Sequence, residues 1–135
     1  MQNNNLKNEK IIIAATGASG MPILQECLHI IRPTPGYESV LIMNRSAVLT
    51  MEQEMECTRE EMEKLADHIY SPEEIGAGPA SGSYRTAGMI IVPCSMKTVA
   101  GICGGYADNL ILRAADVTIK EQRPLVLAAR ETPLS

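Results

Sequence analysis

The chain has 135 residues, of which 45% are hydrophobic, 21% charged and 3% aromatic, and its net charge is −4. This is the composition of one α/β domain able to bury roughly two thirds of its unfolded surface, and it excludes a disordered or fibrous chain. With no basic stripe, no Phe and no Trp, nucleic acid is not an expected partner, and no apolar stretch is long enough for a membrane span.

Met1 to Lys10 is polar and Asn-rich, without the charged-then-apolar order of a signal peptide. Residues 1–10 are therefore expected to be a disordered lead-in and 11–135 one cytoplasmic domain. Ile11 to Ala15 is a continuous apolar run, as in a strand covered on both faces of a parallel sheet. After the loop Thr16-Gly17-Ala18-Ser19-Gly20, Pro22 suits a first helical turn. Ile23, Leu24, Cys27, Leu28 and Ile31 then repeat at helical spacing, which predicts one buried face. Arg32 to Gly36 ends that helix and Val40 to Met43 supplies the next strand.

Asn44 is an expected N-cap for a helix over Arg45 to Met55. Thr58 with Glu61 forms a capping box for another, in which Glu60 and Lys64 are spaced to pair. His68 to Tyr70 reads as a short strand and Ser71 to Gly88 as a long connection. Met89 to Val92 is a further strand, followed by helical zones over Ser95 to Tyr106 and Asp108 to Ala115. Val117 to Ile119 and Leu125 to Ala128 are expected as the last strands. The alternation predicts a Rossmann-like doubly wound parallel sheet in a three-layer αβα arrangement.

Two loops carry the chemistry. Thr16 to Gly20 and Pro93-Cys94-Ser95-Met96-Lys97-Thr98 each follow a strand and open a helix, so backbone N–H groups, hydroxyls and one cation can converge on an anion. With Asn44 and Arg130 they fall on the carboxyl rim of the sheet, where ligands of such folds bind. Taken singly, each residue has a plainer reading: glycines for tight turns, Lys97 and Glu54 as solvated charge, Arg113 paired with Asp116, Lys120 free beside Glu121. Cys27, Cys57, Cys94 and Cys103 match no metal or redox spacing, and reduced, mostly buried thiols are expected, with Cys94 filling a turn. His29 and His68 lie outside the anion loops and read as ordinary helix and strand residues. No metal site is expected.

Taken in order, Thr16 to Gly20, Ala80-Ser81-Gly82-Ser83, Pro93 to Thr98, Ala107-Asp108-Asn109-Leu110, Arg113 to Val117, Lys120-Glu121 with Arg123 to Leu127, and Arg130-Glu131-Thr132-Pro133-Leu134 resemble the UbiX/Pad flavin prenyltransferases. Members of that family were formerly called aromatic acid decarboxylases. The resemblance implies a flavoprotein that binds FMN between subunits of a homo-oligomer, commonly a dodecamer. It would join a dimethylallyl group from dimethylallyl phosphate to reduced FMN and pass the product to a UbiD-type decarboxylase.

By matching positions, the resemblance implies FMN contacts from Gly17, Ala18, Ser19, Asn44, Ser95, Met96, Lys97, Thr98 and Arg130, with Asn44 standing where the family usually has Ser. It implies catalytic roles for Ser19, Glu54, Arg113, Lys120 and Glu131, the last three gathering with Arg130 around the prenyl phosphate. Relative to the family, a C-terminal segment that completes the prenyl-phosphate half is expected to be missing. Two other readings stay open here: an FMN-binding protein without transferase activity, and a subunit of an aromatic acid decarboxylase. A fainter likeness, to flavin-dependent cysteine decarboxylases, rests on His68-Ile69 and Asp108-Asn109-Leu110.

Overall fold

The computed structural model describes residues 8–130. Five parallel strands lie in the order β3-β2-β1-β4-β5: β1 Glu9–Ala15, β2 Tyr37–Met43, β3 His68–Tyr70, β4 Thr86–Ser95 and β5 Leu125–Arg130. The helices are α1 Met21–Ile31, α2 Arg45–Met55, α3 Arg59–Glu63, α4 Met96–Cys103 and α5 Leu110–Lys120.

Strand residues alternate between two cores, as a pleated backbone requires. Ile13, Ala15, Leu41, Met43 and Val92 pack with Met21, Leu24 and Leu28 of α1, Ala47 and Met51 of α2, and Met62 of α3. Ile12, Ala14, Val40, Ile42, Met89 and Ile91 face the other way, onto Leu110, Ile111, Ala114 and Ala115 of α5. The sheet is thus covered on both faces, which explains the unbroken apolar runs of β1 and β2. The doubly wound α/β expectation holds.

Several local expectations are corrected. Strand β1 starts at Glu9, whose N–H donates to the Gly36 carbonyl at 2.8 Å, so Glu9 and Lys10 belong to the sheet and not to a lead-in; residues 1–7 lie outside the described residues. Val117 to Ile119 is not a strand but the end of α5. Its β-branched residues are outweighed by a helical stripe that buries Leu110, Ile111, Ala114, Ala115 and Thr118. The Thr118 hydroxyl donates to the Ala114 carbonyl at 2.7 Å, a bond that only the helix supplies.

In α1 the buried stripe is Met21, Leu24, Leu28 and Ile31, while Ile23 is 45% exposed; Met21, outside the expected set, takes the inward place. The ion pair on α3 is Arg59 with Glu63 at 3.0 Å, not Glu60 with Lys64. Asp116 pairs with Lys120 at 3.0 Å, so neither the Arg113 partner nor a free Lys120 is observed. Of the four free cysteines only Cys94 is fully buried, and Cys103 is exposed. His68 bonds Glu38 across neighbouring strands at 2.8 Å, a structural role.

Candidate functional site

Thr16 joins the two anion loops. Its N–H donates to the Pro93 carbonyl at 3.0 Å, and its hydroxyl accepts the Ser95 N–H at 2.8 Å. The side chain is 2% exposed, so these bonds form away from competing water. A third loop is tied in where the Asn44 N–H reaches the Ala15 carbonyl at 3.1 Å. Glycine is required at position 17, because a Cβ there would stand 2.4 Å from the Cβ of Ser46. The close approach brings the end of β1 against the start of α2.

Three helices begin at the resulting cleft, each capped by its own side chain. Asn44 accepts from Ala47 N–H at 2.8 Å, Ser95 from Thr98 N–H at 3.3 Å, and Asn109 from Leu112 N–H at 2.9 Å. Each cap satisfies one orphan donor and leaves others of the first turn free. The cleft has a volume of about 560 Å³ and is lined by Gly17, Asn44 and Ser46, by Ser95, Lys97, Thr98 and Gly101, and by Tyr106, Asp108 and Asn109. Aligned helix dipoles and one ammonium give this cavity the chemistry of a phosphate site. Its size is that of a small-molecule pocket, within the usual range of about 300 to 1,000 Å³.

The second part of the rim is formed by Gly20, Glu54 and Arg130. Gly20 has φ 112°, a left-handed conformation that suits glycine. A Cβ there would lie 3.6 Å from Arg130 Nη1. Glu54 Oε1 accepts from Gly20 N–H at 3.3 Å and Met21 N–H at 3.1 Å, while Oε2 receives only a long 3.4 Å contact from Gly20. An internal carboxylate therefore occupies the N-terminus of α1. The anion-binding capacity of the Thr16 to Gly20 loop is directed at Glu54, and a ligand phosphate is left to the starts of α2, α4 and α5.

The expected site residues fall into groups. Gly17, Asn44, Ser95, Lys97 and Thr98 line the cleft. Ser19 is half-buried, Ala18 is buried and Met96 is 49% exposed, all near it in chain position but outside its lining. Arg113 is exposed in the first turns of α5. Lys120, at the other end of that helix, is about 15 Å along the axis from Leu110. Within one chain it therefore stays at the opposite rim. Glu131 lies outside the described residues.

Ser46 and Tyr106 were not singled out from the sequence, and Asp108 and Asn109 entered only as part of a family motif, with no role at the site. Asn109 had a readable signal, an Asn directly before an apolar helical run. Burial raises the Cys94 thiol to about 11, so it remains protonated at neutral pH and fills the turn. A second hollow of about 480 Å³ lies beside β3. Its Arg45 and Arg59 are set among Glu63, Glu73 and Glu74, so carboxylates outnumber cations there, and it lacks the convergent helix starts of the cleft.

The flavoprotein family matches residues 1–135. The chain is 50% identical over 126 residues to a probable UbiX-like flavin prenyltransferase of Streptomyces sp. (strain D7), an alignment covering 93% of this chain and 63% of that protein. It spans a little under two thirds of the length of the curated UbiX-like relatives of this kind. The crystal structure of AnUbiX in complex with FMN and dimethylallyl pyrophosphate superposes with a TM-score of 0.90 at 43% identity, over 96% of this chain and 68% of that one. A dodecameric FMN-dependent UbiX-like decarboxylase from Escherichia coli O157:H7 gives a TM-score of 0.88 at 48% identity, over 93% and 68%.

Proposed function

We propose a function on the premise that this chain belongs to the flavoprotein family and, within it, to the UbiX-like flavin prenyltransferases: it binds FMN and transfers a dimethylallyl group to it from dimethylallyl phosphate. The observation that carries the proposal is the meeting of three capped helix starts and Lys97 in one cleft at the carboxyl rim of a parallel sheet. That donor set fits a phosphate monoester, since the dianion meets free N–H groups, hydroxyls and an ammonium without a metal. The chain from Glu9 onward then acts as the FMN-binding domain.

In this reading Asn44, Ser46, Ser95, Lys97 and Thr98 hold the flavin phosphate, and Gly17, Ala18, Ser19, Met96 and Arg130 line the path of the rest of the molecule. Reduced and bound, FMN supplies the electron-rich ring that accepts the dimethylallyl group. Arg130 neutralises charge accumulating on the departing phosphate. Glu54 is held by two N–H groups on Oε1, while Oε2, reached only by the long 3.4 Å contact from Gly20 N–H, takes or returns a proton, with Ser19 next to Gly20 in the chain. The family resemblance assigns Arg113 and Glu131 to the same phosphate. Lys120 reaches it from a second copy in a homo-oligomer, because in its own chain it sits at the other rim. The product passes to a UbiD-type decarboxylase, and the protein works in the cytoplasm as an oligomer, commonly a dodecamer.

The test is anaerobic incubation of the protein with reduced FMN and dimethylallyl phosphate, followed by mass spectrometry of the flavin. One added dimethylallyl unit is expected. Bound flavin of unchanged mass would refute transfer and leave an FMN-binding protein, and a protein that retains no FMN would refute both.

A further inference from the structure

The cleft carries one group that opposes an anion. Asp108 lines it from the connection between α4 and α5, is exposed, and has no ion-pair partner among the described residues. It is not needed as the cap of α5, because Asn109 already accepts the Leu112 N–H at 2.9 Å. Beside it stands Tyr106, the one aromatic residue of the lining, at 68% exposure. Its position is fixed from behind: its N–H donates to the Gly101 carbonyl at 2.9 Å, and Cε2 of its ring lies 3.1 Å from where a Cβ on Gly104 would stand. A large ring is thus held at the mouth of a polar cavity without being buried.

We infer that Asp108 and Tyr106 form a selectivity wall that accepts a flavin mononucleotide and turns away a flavin dinucleotide. The inference rests on the FMN reading above and extends it to the far side of the phosphate. A monoester places its charge against the starts of α2 and α4 and Lys97. A dinucleotide continues through a second phosphate and a nucleoside. That second charge meets the Asp108 carboxylate, and the nucleoside meets the Tyr106 ring. Repulsion aimed at the wrong ligand gives discrimination that added attraction for the right one does not.

The experiment titrates FMN and FAD separately into the wild-type protein and into Asp108→Asn and Tyr106→Ala, following flavin fluorescence, with Tm recorded for each variant. Wild type is expected to prefer FMN. Asp108→Asn is expected to lower the ratio of FMN to FAD affinity by about five- to tenfold, the size of one partly screened like-charge contact. Tyr106→Ala is expected to lower it as well, by opening room for the nucleoside. Equal wild-type affinity for the two flavins would overturn the inference while leaving the FMN reading intact. So would variants that weaken both ligands alike at lowered Tm, the signature of a purely structural role at the start of α5. A wild-type protein that binds neither flavin would refute the FMN reading itself, and this inference with it.

Discussion

Replacing Thr16 by valine removes one hydroxyl and nearly preserves the side-chain volume. In the native fold that hydroxyl accepts the Ser95 N–H at 2.8 Å and makes a longer 3.4 Å bond to the Pro93 carbonyl. Ser95 is partly buried, so its N–H would be left unpaired in a place water reaches poorly. An unsatisfied donor of this kind costs about 1 to 3 kcal/mol, a fall in Tm of roughly 3 to 12 °C for a domain of this size. The effect on binding should be proportionately larger, because Ser95 caps α4 and places Lys97 and Thr98. FMN affinity is expected to fall about tenfold or more, since the freed loop must be reordered on binding. Thr16→Ser is the control: it keeps the hydroxyl, loses one buried methyl, and should retain FMN affinity despite some loss of Tm. Thermal unfolding at fixed protein concentration and flavin titration measure both quantities. If Thr16→Val matches wild type in Tm and affinity, or if Thr16→Ser loses FMN as severely as valine does, Thr16 is not the tie between the two loops.

Three further outcomes are expected. Lys97→Ala should weaken FMN about tenfold or more while leaving riboflavin, which has no phosphate, unchanged, and the salt dependence of FMN binding should flatten in titrations at several ionic strengths. Glu54→Gln keeps a carbonyl oxygen for the Met21 N–H, so FMN retention should be spared while single-turnover prenyl transfer slows by about 100-fold or more; unchanged turnover would remove Glu54 from proton transfer. Glu38 is held below the usual carboxylate range first by its bond to His68 and then by Asn8, with Lys10 adding a smaller attraction. Its folded value is depressed, so its contribution is fully present above the ordinary carboxylate value of 4.5 and is lost as pH falls through the folded value. The urea midpoint of wild type should therefore drop on acidification below that point more steeply than that of Glu38→Gln, and parallel curves would show that the bond to His68 contributes nothing.

Much of the fold could be read from local pattern. Ile11 to Ala15 and Val40 to Met43 announced strands buried on both faces because each run is apolar throughout, with no polar residue at alternate positions to face water. Asn44 and Thr58 announced helix starts because their side chains have few better uses than an orphan N–H. The two anion loops were legible for the same reason, since a small polar segment between a buried strand and a helix has nowhere to be but the carboxyl rim. Val117 to Ile119 misled because β-branched residues favour a strand only where packing does not decide, and here a helical stripe reaching back to Leu110 decided.

Distances across the chain belonged to the tertiary structure alone. Nothing local shows that the carboxylate of Glu54 closes on the N-terminus of α1, because that contact joins residues 33 and 34 positions apart. The same holds for Gly17 against Ser46, for Arg130 beside Gly20, and for Lys120 at the rim away from the cleft. Residue type and spacing determined which groups this protein has available for a phosphate. The parallel sheet, by bringing the ends of β1, β2 and β4 together, decided which of them share one cavity, because only packing sets the approach of segments remote in sequence.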